Sequence, residues 1–290
     1  MTIAVETLKK AKIAIFANPS YVDADPAPEG GYAALAAALK SDGNKVRAFT
    51  DASAEGFAAA LKGRDVLVIP ELENLGLGLT PELVRVIRDF VGNGGTLVMG
   101  GDSNDNDVTL LNAVFGFSVS KGFSLDQGES IAKVAPPPEA SGNTFADGPA
   151  TVLANVSTEL LFDLSLPANA LELYAYGYGV AAAAVGFGAG QIVYLGWDWS
   201  SGAPNGAQDG GWLSVLDAAI SRSDGRIVGT AGPDTLAGFQ TRPGEALSSE
   251  YADVILGKGG DDYLDGGGGN DRIKGGSGED TLFGAEGKDK

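Results

Sequence analysis

The residues best suited to chemistry in this chain are aspartates set in phase. Asp262, Asp271, Asp280 and Asp289 recur every nine residues, and Asp253 extends the series backwards by one unit. Two places after the first four members of this series, counted from Asp253, comes an aliphatic residue: Ile255, Leu264, Ile273 and Leu282. The units read G-K-G-G-D-D-Y-L-D (Gly257–Asp265), G-G-G-G-N-D-R-I-K (Gly266–Lys274), G-G-S-G-E-D-T-L-F (Gly275–Phe283) and G-A-E-G-K-D-K (Gly284–Lys290). An outlying copy, Gly229–Ala237, keeps Asp234 and Leu236 at the same offset and is set apart by an insertion near 239–251. Carboxylates interleaved with glycines, whose small size lets backbone carbonyls turn inward, are the donors a hard cation wants when it collects six to eight oxygens. A disordered glycine-rich linker has no reason to hold aspartate and aliphatic residues at fixed offsets.

The pattern resembles the RTX, or hemolysin-type, nonapeptide repeat, G-G-x-G-x-D followed by a residue, an aliphatic and a residue. The resemblance implies a small parallel β-roll in which each coil takes two repeats, so that loops on one side lie eighteen residues apart. Asp262 then faces Asp280, Asp253, Asp271 and Asp289 stack on the other side, and Asp234 is a separated copy without an assigned partner. Calcium is the implied cofactor. Its expected ligands are Asp234, Asp253, Asp262, Asp271, Asp280 and Asp289, with the backbone at Gly257, Gly259, Gly266, Gly268, Gly275 and Ser277.

Without metal, stacked carboxylates repel, and a few small aliphatics cannot offset an ordering cost of roughly 1–2 kcal/mol per residue. Calcium at ten times its dissociation constant contributes about 1.4 kcal/mol per site, so the segment is expected to fold on binding it. The resemblance further implies export by the type I secretion machinery to the extracellular medium. The N-terminus, M-T-I-A-V-E-T-L-K-K, agrees, because it lacks a basic segment followed by a long apolar run. The chain stops inside a repeat at Lys290, which reads as a truncated array in a fragment of a longer protein.

The rest of the chain obeys different rules. At 290 residues it exceeds one typical domain, and the glycine surplus, 44 in all, is concentrated near the C-terminus, so we expect a unit over 1–222 and a second over 223–290. The formal charge of −18 repels nucleic acid and anionic membranes and suits cations. Cysteine and histidine are both absent, which excludes disulfides, thiolate nucleophiles, imidazole-bound metals and Ser-His-Asp chemistry. The most apolar stretch, Ala181–Trp199, is broken by glycines and Gln191 and does not read as a membrane span.

From Lys12 to about Ser103, apolar runs alternate with helical patterns, the signature of βαβ units. Strands are expected at Lys12–Asn18, Lys45–Asp51, Asp65–Pro70, Thr96–Gly101, Leu171–Tyr176, Val180–Phe187 and Gln191–Trp197, and helices at Gly31–Ser41, Ala54–Lys62, Thr80–Val91 and Gly211–Ser221. The segment Ser118–Leu166 gives no clear pattern. Gly186–Gly190 mimics a dinucleotide loop, but a strand follows it where a helix would be needed, so it reads as a hairpin turn.

The arrangement resembles the class I glutamine-amidotransferase-like superfamily, in the branch that includes trehalose-utilisation-like domains. The resemblance is carried by D-V-L-V-I-P at Asp65–Pro70, F-V-G-N-G-G-T-L-V at Phe90–Val98 and G-F-G-A-G-Q-I-V-Y-L-G-W-D-W at Gly186–Trp199, and covers roughly residues 10–222. It implies an α/β fold, a flavodoxin-like parallel sheet with helices on both faces. Catalytic members place a cysteine on the turn after a central strand and a histidine on a later loop. Here that turn, Gly100–Asn104, offers Asp102 or Ser103, and the later loop offers Asp198, so amidotransferase chemistry is unsupported.

Ligands of open α/β sheets bind beyond the carboxyl ends of the strands, where Asn18, Glu71, Glu73, Asp102 and Asp198 would lie. Three readings stay open for this unit. It recognises a ligand or partner, such as a surface polysaccharide, without catalysis. It is a glycan-directed hydrolase working with paired carboxylates, Trp197 and Trp199 stacking on a sugar. Or it is a structural module of a larger surface protein. The bland alternative at these positions is loop capping by Asp and Asn, with the tryptophans packed on the last helix.

Overall fold

The computed structural model describes residues 10–24, 31–41, 43–101, 103–135, 145, 148–155, 157–200, 202, 209–220, 226–238, 248 and 252–290. Four parallel strands come first: β1 (Lys12–Phe16), β2 (Lys45–Phe49), β3 (Val66–Ile69) and β4 (Thr96–Gly100). Helices α1 (Gly31–Ser41), α2 (Ala54–Leu61) and α3 (Pro81–Gly92) connect them, and α4 (Asn106–Phe115) follows β4. Helix starts are chemically marked. The Ser53 hydroxyl accepts the Gly56 N–H at 3.1 Å before α2. Thr80 accepts the Leu83 N–H at 3.3 Å before α3, with Pro81 in the first turn, where no N–H is missed.

The patternless stretch supplies short antiparallel strands, β5 (Lys121–Leu125), β6 (Ser130–Lys133), β7 (Thr151–Leu153) and β8 (Thr158–Phe162). Then come β9 (Leu171–Tyr176), β10 (Gly179–Phe187), β11 (Gly190–Leu195) and α5 (Trp212–Ile220). The main sheet runs β2-β1-β3-β4-β11-β10-β9-β6-β7, with β8 on β10 and β5 on β8. It is parallel from β2 to β11 and antiparallel beyond, so the expected parallel sheet is the first half of a mixed one.

The two-residue alternation of strands sorts the core onto two faces. Ile13, Ile15, Val66, Val68, Val98, Val193 and Leu195 point to the side covered by α1 and α5. Ala14, Phe16, Leu67, Ile69, Leu97, Met99, Ile192 and Tyr194 point to the side covered by α2, α3 and α4. The hairpin expected at Gly186–Gly190 is present, with Phe187 opposite Gly190. A Cβ at Gly190 would lie 2.1 Å from the Val91 carbonyl, so these glycines serve packing against the end of α3.

The C-terminal stretch forms parallel ladders. β12 (Arg226–Val228), β14 (Val254–Gly259) and β17 (Arg272–Ser277) stack on one side, and β13 (Thr235–Leu236), β15 (Tyr263–Asp265) and β18 (Thr281–Phe283) on the other. β16 (Gly268–Gly269) pairs with β19 (Glu286–Gly287). Ile227, Ile255 and Ile273 lie in register along one ladder, and Leu236, Leu264 and Leu282 along the other. The first two of each set are fully buried and form the roll's thin core, Ile273 packs against it partly buried, and Leu282 is half exposed. The insertion near 239–251 lies mostly outside the described residues, and so does the expected boundary at 222/223.

Candidate calcium site

Each coil hands its motif aspartate to the coil before it. The Asp253 N–H donates to Asp271 Oδ1 at 2.9 Å, that of Asp262 to Asp280 Oδ1 at 3.1 Å, and that of Asp271 to Asp289 Oδ1 at 3.0 Å. These are the two columns that the repeat resemblance implied. The separated copy joins the first, because the Asp234 N–H donates to Asp262 Oδ1 at 2.9 Å and the Tyr263 N–H to the Asp234 carbonyl. The stack thus keeps its register from Asp234 to Asp262 across the insertion. The residues just before the motif aspartates make the reverse bond: the Glu279 N–H donates to Asp261 Oδ1, and that of Lys288 to Asn270 Oδ1.

The second carboxylate oxygens behave otherwise. Asp253, Asp262 and Asp271 are each no more than 2 % exposed. Oδ2 of Asp262 and Oδ2 of Asp271 are buried and accept no hydrogen bond. Burying an ionised carboxylate without a counter-charge is costly. Burial accordingly pushes the carboxyls of Asp262 and Asp271 up from the ordinary range, against the lowering N–H bonds from Asp234 and Asp253. The charges of Asp234, Asp280 and Asp261 raise Asp262 further, and those of Asp289 and Asp265 raise Asp271. This arrangement wants a cation.

The glycines fit the same purpose. A Cβ on the first residue of each repeat would run into that repeat's own aspartate: 2.2 Å from Oδ2 for Gly257 and Gly266, 2.1 Å for Gly275 and 2.4 Å for Gly284. The second and fourth positions are left-handed, at φ 80 for Gly267 and 117 for Gly276, and at 100, 109 and 133 for Gly260, Gly269 and Gly278. The third position, Gly259, Gly268 and Ser277, is not left-handed, and it carries a side chain in Ser277 and Glu286. Among the described residues no group of three or more carboxylates gathers as a metal cluster. A calcium ion here would take paired aspartates and complete its oxygen shell with loop carbonyls.

In the α/β part, the acids expected beyond the strand ends are occupied with structure. Glu71 is buried, and its Oε1 accepts the Trp199 N–H at 3.1 Å. Its Oε2 lies where a Cβ on Gly31 would come within 2.9 Å, at the positive end of α1. Asp198 caps its own loop, accepting the Ser200 N–H at 2.7 Å and the Ser200 hydroxyl at 2.9 Å. Asn18 accepts the Ser20 N–H and donates to the Thr50 carbonyl. Glu73 is exposed, and Asp102 lies outside the described residues. Trp197 and Trp199 are buried edge to face, and Trp197 stacks on Trp212 of α5 with centroids 6.0 Å apart.

Sequence reasoning missed a buried ion pair. Lys121 Nζ lies 3.0 Å from Asp107 Oδ2 and 4.0 Å from Glu159 Oε2, and the Ser124 hydroxyl donates to Glu159 Oε1 at 2.6 Å. Its members come from α4, β5 and β8, and no local spacing announces them.

Residues 248–282 and 256–290 match the RTX calcium-binding nonapeptide repeat family, four copies. The C-terminal stretch is an array of RTX calcium-binding repeats. The family binds calcium, and calcium is this stretch's cofactor. No curated protein matches the chain. Among solved structures, a ThuA-like protein from Bacteroides uniformis is 14% identical, with 76% of this chain and 94% of that one covered at a TM-score of 0.49. A cytoplasmic protein from Salmonella typhimurium is 13% identical over 73% of this chain and 99% of its own, also at 0.49. A β-galactosidase from Bacillus circulans sp. alkalophilus is 14% identical over 72% of this chain at 0.47, and this chain spans 30% of its length.

Proposed function

We propose that residues 223–290 are a calcium-triggered folding module of an exported protein, and that residues 1–222 form a non-catalytic unit that binds a ligand or partner outside the cell. The observation that carries the first half is the pair of buried, bare oxygens, Asp262 Oδ2 and Asp271 Oδ2. Asp253, Asp262, Asp271, Asp280 and Asp289 supply carboxylates, and the backbone at Gly257, Gly259, Gly266, Gly268, Gly275 and Ser277 supplies the remaining oxygens. Extracellular calcium modules typically bind at around 10⁻⁴ to 10⁻³ M, so such a roll stays open in the cytosol and closes after export through a type I machinery. No helix among the described residues is long and apolar enough to cross a membrane.

Hydrogen exchange of the full chain tests this. Calcium is expected to protect amides across 226–290 and leave β1, β3, β4 and β11 unchanged. Exchange over the roll that ignores calcium sinks the reading. Finding the protein retained inside its producing cells, and absent from the medium, sinks the export half.

For the α/β unit, support for recognition without catalysis comes from Glu71 and Asp198, which are spent on backbone contacts, and from an apolar surface elsewhere. Phe123, Phe162, Tyr176 and Tyr178 are exposed on β5, β8 and the β9–β10 turn, with Leu164 95% exposed beside them. The Asp163 N–H donates to the Tyr178 carbonyl, which ties these segments together. Rings with polar tips suit the faces of sugars. Glu129 hydrogen-bonds Tyr176, and Asp163, next to Phe162, feels the charge of Glu172; these acids disfavour a polyanion, so an uncharged or cationic polysaccharide is the partner we propose. The Tyr178→Ala variant is expected to lose retention on an immobilised chitosan or cellulose column. Equal retention of wild type and variant sinks it, and sugar release from either polymer by the wild type restores the hydrolase reading.

A further inference from the structure

The outlying loop Gly229–Asp234 looks like a fifth repeat in sequence and differs from the others in structure. In the four contiguous repeats the second position is left-handed even where it is not glycine, at φ 77 for Lys258 and 63 for Ala285, and the fourth is left-handed throughout. In the outlying loop these positions are Thr230 and Gly232, and neither has a positive φ. The two left-handed residues that turn a repeat loop's carbonyls are thus missing.

Its carboxylate is also spent. The Thr230 N–H donates to Asp234 Oδ2 at 2.5 Å, and the Thr230 hydroxyl lies 3.1 Å from the same oxygen. The Gly232 N–H in turn donates to that hydroxyl at 3.0 Å. The equivalent oxygens of Asp262 and Asp271 accept nothing. Hydrogen bonds to an ionised carboxylate do locally what a cation does elsewhere, stabilising the charge in place. Yet the loop continues the stack, through the Asp234 N–H bond to Asp262 and the parallel pairing of β13 with β15.

We propose that the gap between Asp234 and Asp262 carries no calcium, and that this coil is a metal-free cap on which the calcium-loaded coils stack. A terminal unit that satisfies its own polar groups is what a solenoid needs at an end. The role of Thr230 is to replace the ion: its amide, in a backbone that is not left-handed, and its hydroxyl both hold Asp234 Oδ2, and a glycine in that place would lack the hydroxyl. The inference rests on the reading that the contiguous repeats bind calcium, and its test separates the two.

Isothermal titration of the full chain with calcium chloride counts ions in three proteins. Asp234→Asn is expected to bind as many calcium ions as the wild type, with affinity within about twofold, because an amide oxygen still accepts from Thr230. Asp280→Asn is expected to bind one fewer. A count lowered by one in Asp234→Asn overturns the proposal and leaves the parent reading intact. No calcium bound by the wild type overturns both. Should Asp234→Asn fail to fold, a calcium-soaked crystal of the wild type decides: anomalous density between Asp262 and Asp280 with none between Asp234 and Asp262 is the expected result, and an ion in the latter gap overturns it.

Discussion

Asp107 in the α/β part and Asp262 and Asp271 in the roll are the same residue at almost the same burial, yet they solve the problem of a buried charge in opposite ways. Asp107 has Lys121 Nζ at 3.0 Å, a counter-charge carried by the chain itself. The roll aspartates have one backbone N–H on one oxygen and, on the other, nothing from the protein. Their hydrophobic support differs just as much. The α/β part buries Trp197, Trp199, Trp212, Phe16 and Phe57 together with dozens of aliphatics, whereas the roll buries Ile227, Leu236, Ile255 and Leu264. A region that supplies its own counter-charges and core is stable on its own. A region that lacks both is completed from solvent, and on the proposed reading its fold follows the calcium concentration.

The largest expected effect separates the two regions by mutation. Trp212→Ala removes a fully buried ring that stacks on Trp197 and whose Nε1 donates to the Leu153 carbonyl at 2.9 Å. It should cost the α/β part about 3–5 kcal/mol and leave the calcium dependence of the roll untouched. Gly266→Ala should do the reverse, since the new methyl would sit 2.2 Å from Asp271 Oδ2. Two-probe unfolding, tryptophan fluorescence for one region and calcium-dependent exchange protection for the other, checks both. All three tryptophans lie in the α/β part, which keeps the signals apart. A single transition shifted equally by both variants would erase the contrast.

How much of this contrast sequence carried follows from where the information sits. The roll is written locally: nine-residue phasing, with the repeat resemblance it carries, gives the coil and the two columns of aspartates, and only the place of Asp234 needed the fold, since the insertion hides its register. The parallel half of the main sheet is also local, because each strand is a continuous apolar run. β5 to β8 were invisible since they are short, polar on one side and defined by their neighbours, as in the pairing of Lys121 with Leu161 and of Ile131 with Val152. The Lys121–Asp107 pair was illegible for the same reason. The acids at the strand ends were found but not their use, because nothing in a sequence says that Glu71 will be buried against Trp199.

Acidification sharpens the comparison with a smaller effect. In the metal-free roll the carboxyls of Asp262 and Asp271 lie above the values they have in an unfolded chain, so the folded state holds protons more tightly. Its stability is then greater below the ordinary carboxylate value, about 4, and is lost as pH rises through the raised values. Calcium has the opposite dependence, because its ligands must be ionised. With chelator present, the strand signal of the roll should grow as pH falls from 7 toward about 4. With calcium present, affinity should fall over the same interval. Circular dichroism and calcium titration at stepped pH measure the two arms, and parallel rather than opposite trends would break the argument.

The smallest effect concerns one backbone position. Lys258 stands at φ 77 where Gly267 and Gly276 stand in the following repeats. A residue with a side chain pays about 1–2 kcal/mol for a left-handed conformation. Glycine avoids that and loses roughly 0.5–1 kcal/mol of chain entropy instead. Lys258→Gly should therefore stabilise the calcium-loaded roll by a net amount on the order of 0.5–1 kcal/mol, lowering the calcium concentration at half-folding by a few fold. The melting temperature of the α/β part should not move, since its strain and its charges are settled within its own sequence. An unchanged calcium midpoint in Lys258→Gly would mean that the left-handed turn is not what limits closure of the second coil.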